Sequence, residues 1–141
     1  MTLASFATSG TPGTLAPAEY QPGVCNIGPA EIARRRRAGH TGLLAAVGLF
    51  AALVVIGAPD WTRFLVAIPA IGAASGYLQA RLRFCAGFGS MGVFNFGEVG
   101  PTERVANEPD RARDRMRAFQ IGAASFAIGI LAGLSAVVLP V

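Results

Sequence analysis

Lysine is absent from this sequence, and charge of either sign is scarce. Charged residues make up 14% of the 141, and all 12 basic ones are arginine. Ordinary soluble domains carry about 25% charge. A chain that is 52% hydrophobic with so little charge cannot cover a water-facing surface well. Two cysteines are too few for a disulfide framework, which excludes a small stapled secreted scaffold. Residues 1–24 have neither a basic start nor a continuous apolar core, so no cleavable secretory signal is expected there. Val24-Cys25 is not a lipoprotein site, because no hydrophobic segment precedes it. Paired carboxylates, a nucleophile elbow and an H-E-x-x-H motif are missing too, which weighs against a catalytic site built from this chain alone.

What is present is long uncharged runs. Residues 39–58 are free of formal charge. Twenty helical residues rise about 30 Å, the thickness of the hydrocarbon core. Residues 64–80 form a second, shorter run, with Pro69 inside it predicting a kink. Residues 118–141 form a third. The expected fold is therefore all-α, with three transmembrane helices at about 39–58, 64–80 and 118–140. Trp61 and Tyr77 are placed as interfacial anchors. No Asp, Glu or Arg lies inside any of the three runs, which argues against a pump, transporter or channel.

Arginine placement sets the expected orientation. Arg34, Arg35, Arg36 and Arg37 precede the first run. Arg81, Arg83, Arg104, Arg111, Arg113, Arg115 and Arg117 separate the second from the third. Only Arg63 lies between the first and second. Cytoplasmic loops carry the arginine excess, so the N-terminus and the 81–117 loop read as cytoplasmic and the C-terminus as external. The net charge of +4 is then a matter of membrane topology and contact with anionic lipid, not of nucleic-acid binding.

Residues 1–24, rich in Ser, Thr, Gly and Pro, read as a flexible tail. Residues 25–38 read as a cytoplasmic juxtamembrane helix, with Gly28 as N-cap, Pro29 at the first helical position and Glu31 in the first turn. Gly100-Pro101-Thr102-Glu103 repeats that pattern and predicts another helix start. Pro109 predicts the helix that carries Arg111 to Arg117, solvated, into the third span. Residues 84–97 are too few to span and read as an interfacial or re-entrant segment packed on protein. Its Phe84, Phe88, Phe94 and Phe96 read as anchors. Gly87-Phe88-Gly89-Ser90-Met91-Gly92 matches G-x-G-x-x-G but lacks the strand–turn–helix context of a dinucleotide site.

Small residues recur at four-residue spacing in the apolar runs: Gly72 and Gly76 in the second, Ser125, Gly129 and Gly133 in the third. Such stripes let helices approach closely in lipid. Cys25, His40 and Cys85 are the candidate metal ligands, suited to zinc, haem or an iron–sulfur cluster.

Two segments carry a resemblance. They are Cys25-Asn26-Ile27-Gly28-Pro29-Ala30-Glu31-Ile32-Ala33-Arg34-Arg35-Arg36, and Arg83-Phe84-Cys85-Ala86-Gly87-Phe88-Gly89 with Asn95-Phe96-Gly97. Together they resemble a group of small uncharacterised bacterial integral membrane proteins, over most of residues 25–117. The resemblance implies that the two cysteine segments belong together; it adds no catalytic residue. The expected role is a non-catalytic subunit of the bacterial inner membrane that packs on a larger complex, respiratory or photosynthetic by analogy, with no cofactor. Homo-oligomerisation stays open. The alternative is a redox or metal-binding membrane protein using Cys25 and Cys85.

Overall fold

A computed structural model describes residues 19–141. Most of the reading of residues 1–24 as a flexible tail therefore lies outside the described residues. The chain is mostly helical, as the uncharged runs require. Helix α1 spans Pro29–Val55, α2 Ala67–Leu82, α3 Ala86–Met91 and α4 Glu108–Val138. Between α3 and α4, strands β1 (Val93–Phe94) and β2 (Glu103–Arg104) pair antiparallel, with Val93 opposite Arg104.

Helix α1 starts as the sequence predicts, with Gly28 as N-cap and Pro29 in the first turn. The juxtamembrane helix and the first apolar run are one continuous rod of 27 residues. Nothing between Arg37 and Leu43 breaks it, since no proline interrupts the backbone ladder. It ends in a Schellman motif: the amide of Ala58 donates to Leu53 O and that of Gly57 to Val54 O. Gly57 takes the left-handed conformation this requires (φ +66°).

The second run departs from expectation. Residues Asp60–Val66 form a 3-10 turn, and only Ala67–Leu82 is α-helical. Pro69 explains the change. In an α-helix its ring would clash with the carbonyl four residues back, that of Leu65. The α-helix begins just past that point, and Pro69 falls in its first turn instead of kinking its middle. Two helices, α1 and α4, are thus long and apolar enough to cross a membrane, not three. The 16 residues of α2 rise about 24 Å, short of a hydrocarbon core.

Helix α4 begins where Pro109 predicts. Asn107 is its N-cap, and its side-chain oxygen accepts from the Asp110 amide at 3.1 Å. Gly100-Pro101-Thr102-Glu103 does not start a helix. Glu103 is instead the first residue of β2, held by pairing with β1.

Helix α2 lies between α1 and α4, antiparallel to both. The seams are built from small residues. A side-chain carbon on Gly76 would collide with the backbone of Gly39 and Arg35, and one on Gly42 would sit 2.6 Å from the Ala73 amide. On the other side Gly129 meets the Ile71 backbone, and a carbon on Gly133 would lie 2.7 Å from Ala67 Cβ. The buried stripe of α4 runs Asp114, Ala118, Ile121, Ser125, Gly129, Gly133, Ala136, steps of three and four residues along one face. Gly76, Ser125, Gly129 and Gly133 therefore lie in seams. Gly72 does not; nothing lies within 4 Å of a side chain placed there. Gly39 and Gly42 are the α1 counterparts that the two stripes left out.

The remaining faces are greasy and uncovered. Leu44, Val47, Ile68, Phe119, Phe126, Leu131 and Val138 are exposed. Only 11% and 28% of the most apolar stretches of α1 and α4 are buried within the chain. The core helix of a water-soluble protein would be mostly covered. All arginines but one gather at one end of the bundle. The exception, Arg63, is buried at the other end, where it pairs with Asp60 at 2.9 Å and donates to Leu139 O and Val141 O.

Candidate functional site

The polar end holds nearly all the chemistry-bearing side chains. Its centre is Asn26. The amide of that side chain donates to Cys85 O at 3.1 Å, and its oxygen accepts from the Cys85 amide at 2.6 Å. The side chain thus imitates a strand, closing both backbone groups of a buried residue. The Asn26 backbone does the same for its neighbours: its amide donates to Arg83 O, and its carbonyl accepts from the Asn95 amide. Asn95 O in turn accepts from the Gly28 amide at 2.8 Å. Gly28 must be glycine, because a Cβ would sit 2.7 Å from Phe96 O. The two segments that carry the resemblance are therefore stitched to each other, residue by residue.

Below this clasp, residues 20–23 strap across α4. Asp114 is fully buried and accepts from Tyr20 Oη at 2.8 Å and from the Gly23 amide at 2.7 Å. Gly23 stands at φ +70° to make the turn. The Tyr20 ring stacks on Phe94, centroids 4.7 Å apart. Burial, and then the hydrogen bond to Asp114, push the Tyr20 phenol well above its ordinary range. The expectation of a solvated helix over residues 109–117 thus fails at Asp114. An acidic residue among arginines looks solvated in sequence, but here it is the anchor for a strap more than ninety residues away.

The predicted aromatic anchors are also redistributed. Phe84 is fully buried and packs with Ala118 and Ile121. Phe94 serves Tyr20. Residues 84–97 do pack on protein. Gly89 of α3 lies against the Phe84 ring and Asp114 O, and Gly92 (φ +69°) closes the helix. These glycines serve close packing.

Cys25 and Cys85 are both buried free thiols. Cys25 Sγ points at Ile27 O, and burial pushes its thiol above the ordinary range. Cys85 Sγ accepts from Arg35 Nη2 at 2.9 Å and caps α3 through the Phe88 amide at 3.4 Å. His40 is elsewhere, exposed, with Nδ1 2.6 Å from Tyr77 Oη. Among the described residues no three His, Cys, Asp or Glu side chains gather at a separation that could hold a metal. The candidate set Cys25, His40 and Cys85 is therefore divided: the cysteines flank the Asn26 clasp, and the histidine joins the α1–α2 seam.

The four consecutive arginines divide as well. Arg35 turns inward, onto Cys85, with its guanidinium 5.9 Å from the Phe88 ring centroid and 3.8 Å from Glu31. Arg34 lies 3.6 Å from the same carboxylate. Glu31 is completely buried, and neither of its oxygens receives a hydrogen bond from the described residues. Arg36 and Arg37 point outward and are exposed. Asn26, Asn95, Tyr20 and Asp114 are the residues that sequence reasoning missed. Asparagines set between apolar neighbours, as in Cys25-Asn26-Ile27 and Phe94-Asn95-Phe96, are the one local signal that could have found the clasp.

No protein-family model, curated protein or solved structure matches this chain.

Proposed function

We propose that this chain is a non-catalytic, three-span subunit of a bacterial inner membrane. In this reading its arginine-rich end is cytoplasmic, its C-terminus is external, and it packs on a larger membrane complex. The second crossing is composite. The 3-10 turn of seven residues adds about 14 Å to the roughly 24 Å of α2, enough to traverse the hydrocarbon core. The clasp at the polar end supports a scaffolding role, since Asn26, Asn95, Asp114 and Cys85 are each committed to backbone or side-chain partners within the chain.

One observation carries the docking part. Gly48, Gly72 and Gly122, one on each long helix, have open space where a side chain would stand. Glycine inside a helix costs about 1 kcal/mol relative to alanine. Among the described residues these three have no packing contact to offset that cost, whereas Gly39, Gly76 and Gly129 do. Contact with a partner's helices supplies the missing reason.

The experiment is native purification of the full chain in mild detergent, with mass spectrometry of what accompanies it. Larger membrane subunits at fixed stoichiometry are expected. The Gly48→Leu, Gly72→Leu, Gly122→Leu triple variant should stay folded and lose them. Recovery of the wild-type chain alone, or full retention of partners by the triple variant, refutes the proposal.

A further inference from the structure

The arginines at the polar end are not equivalent. Three of the four on α4 have an acidic partner on their own helix, and the fourth reaches only a neutral amide. Arg111 and Arg115 pair with Glu108, Arg113 pairs with Asp110 at 3.8 Å, and Arg117 reaches Gln120. On α1 and at the end of α2, Arg36, Arg37, Arg81 and Arg83 are exposed, and none has an acidic partner among the described residues. These two elements are packed side by side, with Gly39 against Gly76 and Gly42 against Ala73. That register sets Arg81 level with Arg34, about 3–5 Å along the bundle from Arg36 and Arg37, on the adjacent helix.

Just above them the surface changes character. His40 and Tyr77, joined across the seam, form a polar boundary. Beyond it Leu43, Leu44 and Val47 are exposed. From Arg37 to Leu43 the helix rises about 9 Å, the depth of a headgroup region. The order along this face is thus unpaired guanidinium, hydrogen-bonding pair, bare hydrocarbon, which matches the order phosphate, ester, acyl chain in a phospholipid.

We propose that the α1–α2 face binds the headgroup of an anionic phospholipid through Arg36, Arg37, Arg81 and Arg83, and that the α4 face does not. Guanidinium groups suit phosphate because they donate in a planar fork. This face gathers four arginines without an acidic partner, whereas elsewhere among the described residues only Arg104 on β2 and Arg117 on α4 lack one. The proposal rests on the membrane-spanning reading above, and goes beyond it by assigning lipid contact to one side of the bundle.

The test uses the full chain in mild detergent, titrated with phosphatidylglycerol and observed by native mass spectrometry. Two double variants with equal charge loss are compared: Arg36→Gln with Arg37→Gln, and Arg113→Gln with Arg115→Gln. A juxtamembrane arginine contributes roughly fivefold to anionic lipid affinity, so the first pair should weaken binding about 25-fold. The second should leave it within about twofold. Equal losses in both would mean that a diffuse positive field binds the lipid, which overturns the proposal, as would no loss in either. Phosphatidylcholine binding as tightly, inorganic phosphate displacing the lipid, or an RNA oligonucleotide preferred over it would each overturn it too. A chain that stays monomeric in water without detergent fails the membrane reading itself, an outcome distinct from all of these.

Discussion

Replacing Asn26 by alanine removes the side-chain half of the clasp and leaves its backbone bonds to Arg83 O and the Asn95 amide in place. Two hydrogen bonds vanish, and the amide and carbonyl of Cys85 are left unpaired in a residue that is only 1% exposed. Each such orphaned group costs about 1–3 kcal/mol. The polar end should therefore open more readily by about 3 kcal/mol, at the lower side of that range for two groups. Thiol labelling reads this opening directly, because Cys25 and Cys85 flank Asn26 and are both buried. In the wild type, maleimide labelling should be slow at neutral pH, the more so for Cys25, whose thiol burial keeps protonated. In Asn26→Ala both sites should label roughly 100-fold faster, with mass spectrometry assigning the label to each cysteine. Asn26→Asp keeps an acceptor for the Cys85 amide but sets a buried carboxylate oxygen against Cys85 O, so it should label at least as fast as the alanine variant. An alanine variant that labels no faster than wild type would show that the Asn26 side chain does not hold the two segments together.

Other perturbations probe other parts of the fold. Gly76→Ala should destabilise the bundle by about 1–3 kcal/mol through overpacking against Gly39, whereas Gly48→Ala should be neutral or stabilising by up to about 1 kcal/mol in the isolated chain; thermal unfolding in one detergent compares them. The Tyr20 phenol has a folded value raised above its unfolded one, so the stability it contributes is fully present below about pH 10 and is lost as pH rises further. Alkaline titration followed by proteolysis near residue 20 should show the strap releasing in that window, and Tyr20→Phe, which cannot ionise, should reduce the pH dependence to the part that the buried Cys25 thiol contributes. Arg63→Gln removes the donors to Leu139 O and Val141 O, and amide exchange over residues 136–141 should quicken while the polar end stays protected.

Helices α1 and α4 were legible because hydrocarbon-length runs leave few alternatives. Gly28-Pro29 and Pro109 marked the starts of α1 and α4 through local backbone chemistry. The four-residue stripe through Ser125, Gly129 and Gly133 marked a real seam, because close approach needs small side chains at that period. Gly72 shares the spacing of Gly76 yet faces outward, since a four-residue step cannot say on which side of a helix the neighbour lies. Asp114 was misread for the reason that hides most buried charge. Its partners, Tyr20 and the Gly23 amide, lie over ninety residues away, and no local pattern announces them. Gly100-Pro101 carries the same start signal as Gly28-Pro29. There the pairing of Glu103 with Phe94 prevails over local propensity. Apolar neighbours hint that Asn26 and Asn95 are buried, but the segment each one pairs with was out of reach, because an asparagine acting as a strand needs its partner in view.

The central claim is that the bundle crosses the bilayer three times with its arginine-rich end inside. Tags at the two termini, probed with an impermeant reagent in intact bacterial spheroplasts and again after lysis, test it most directly. The account predicts an external tag at residue 141 that reacts before lysis and a tag at residue 1 that reacts only afterwards. Both tags on one side, as two crossings would give, or both tags recovered in the soluble fraction, would contradict it.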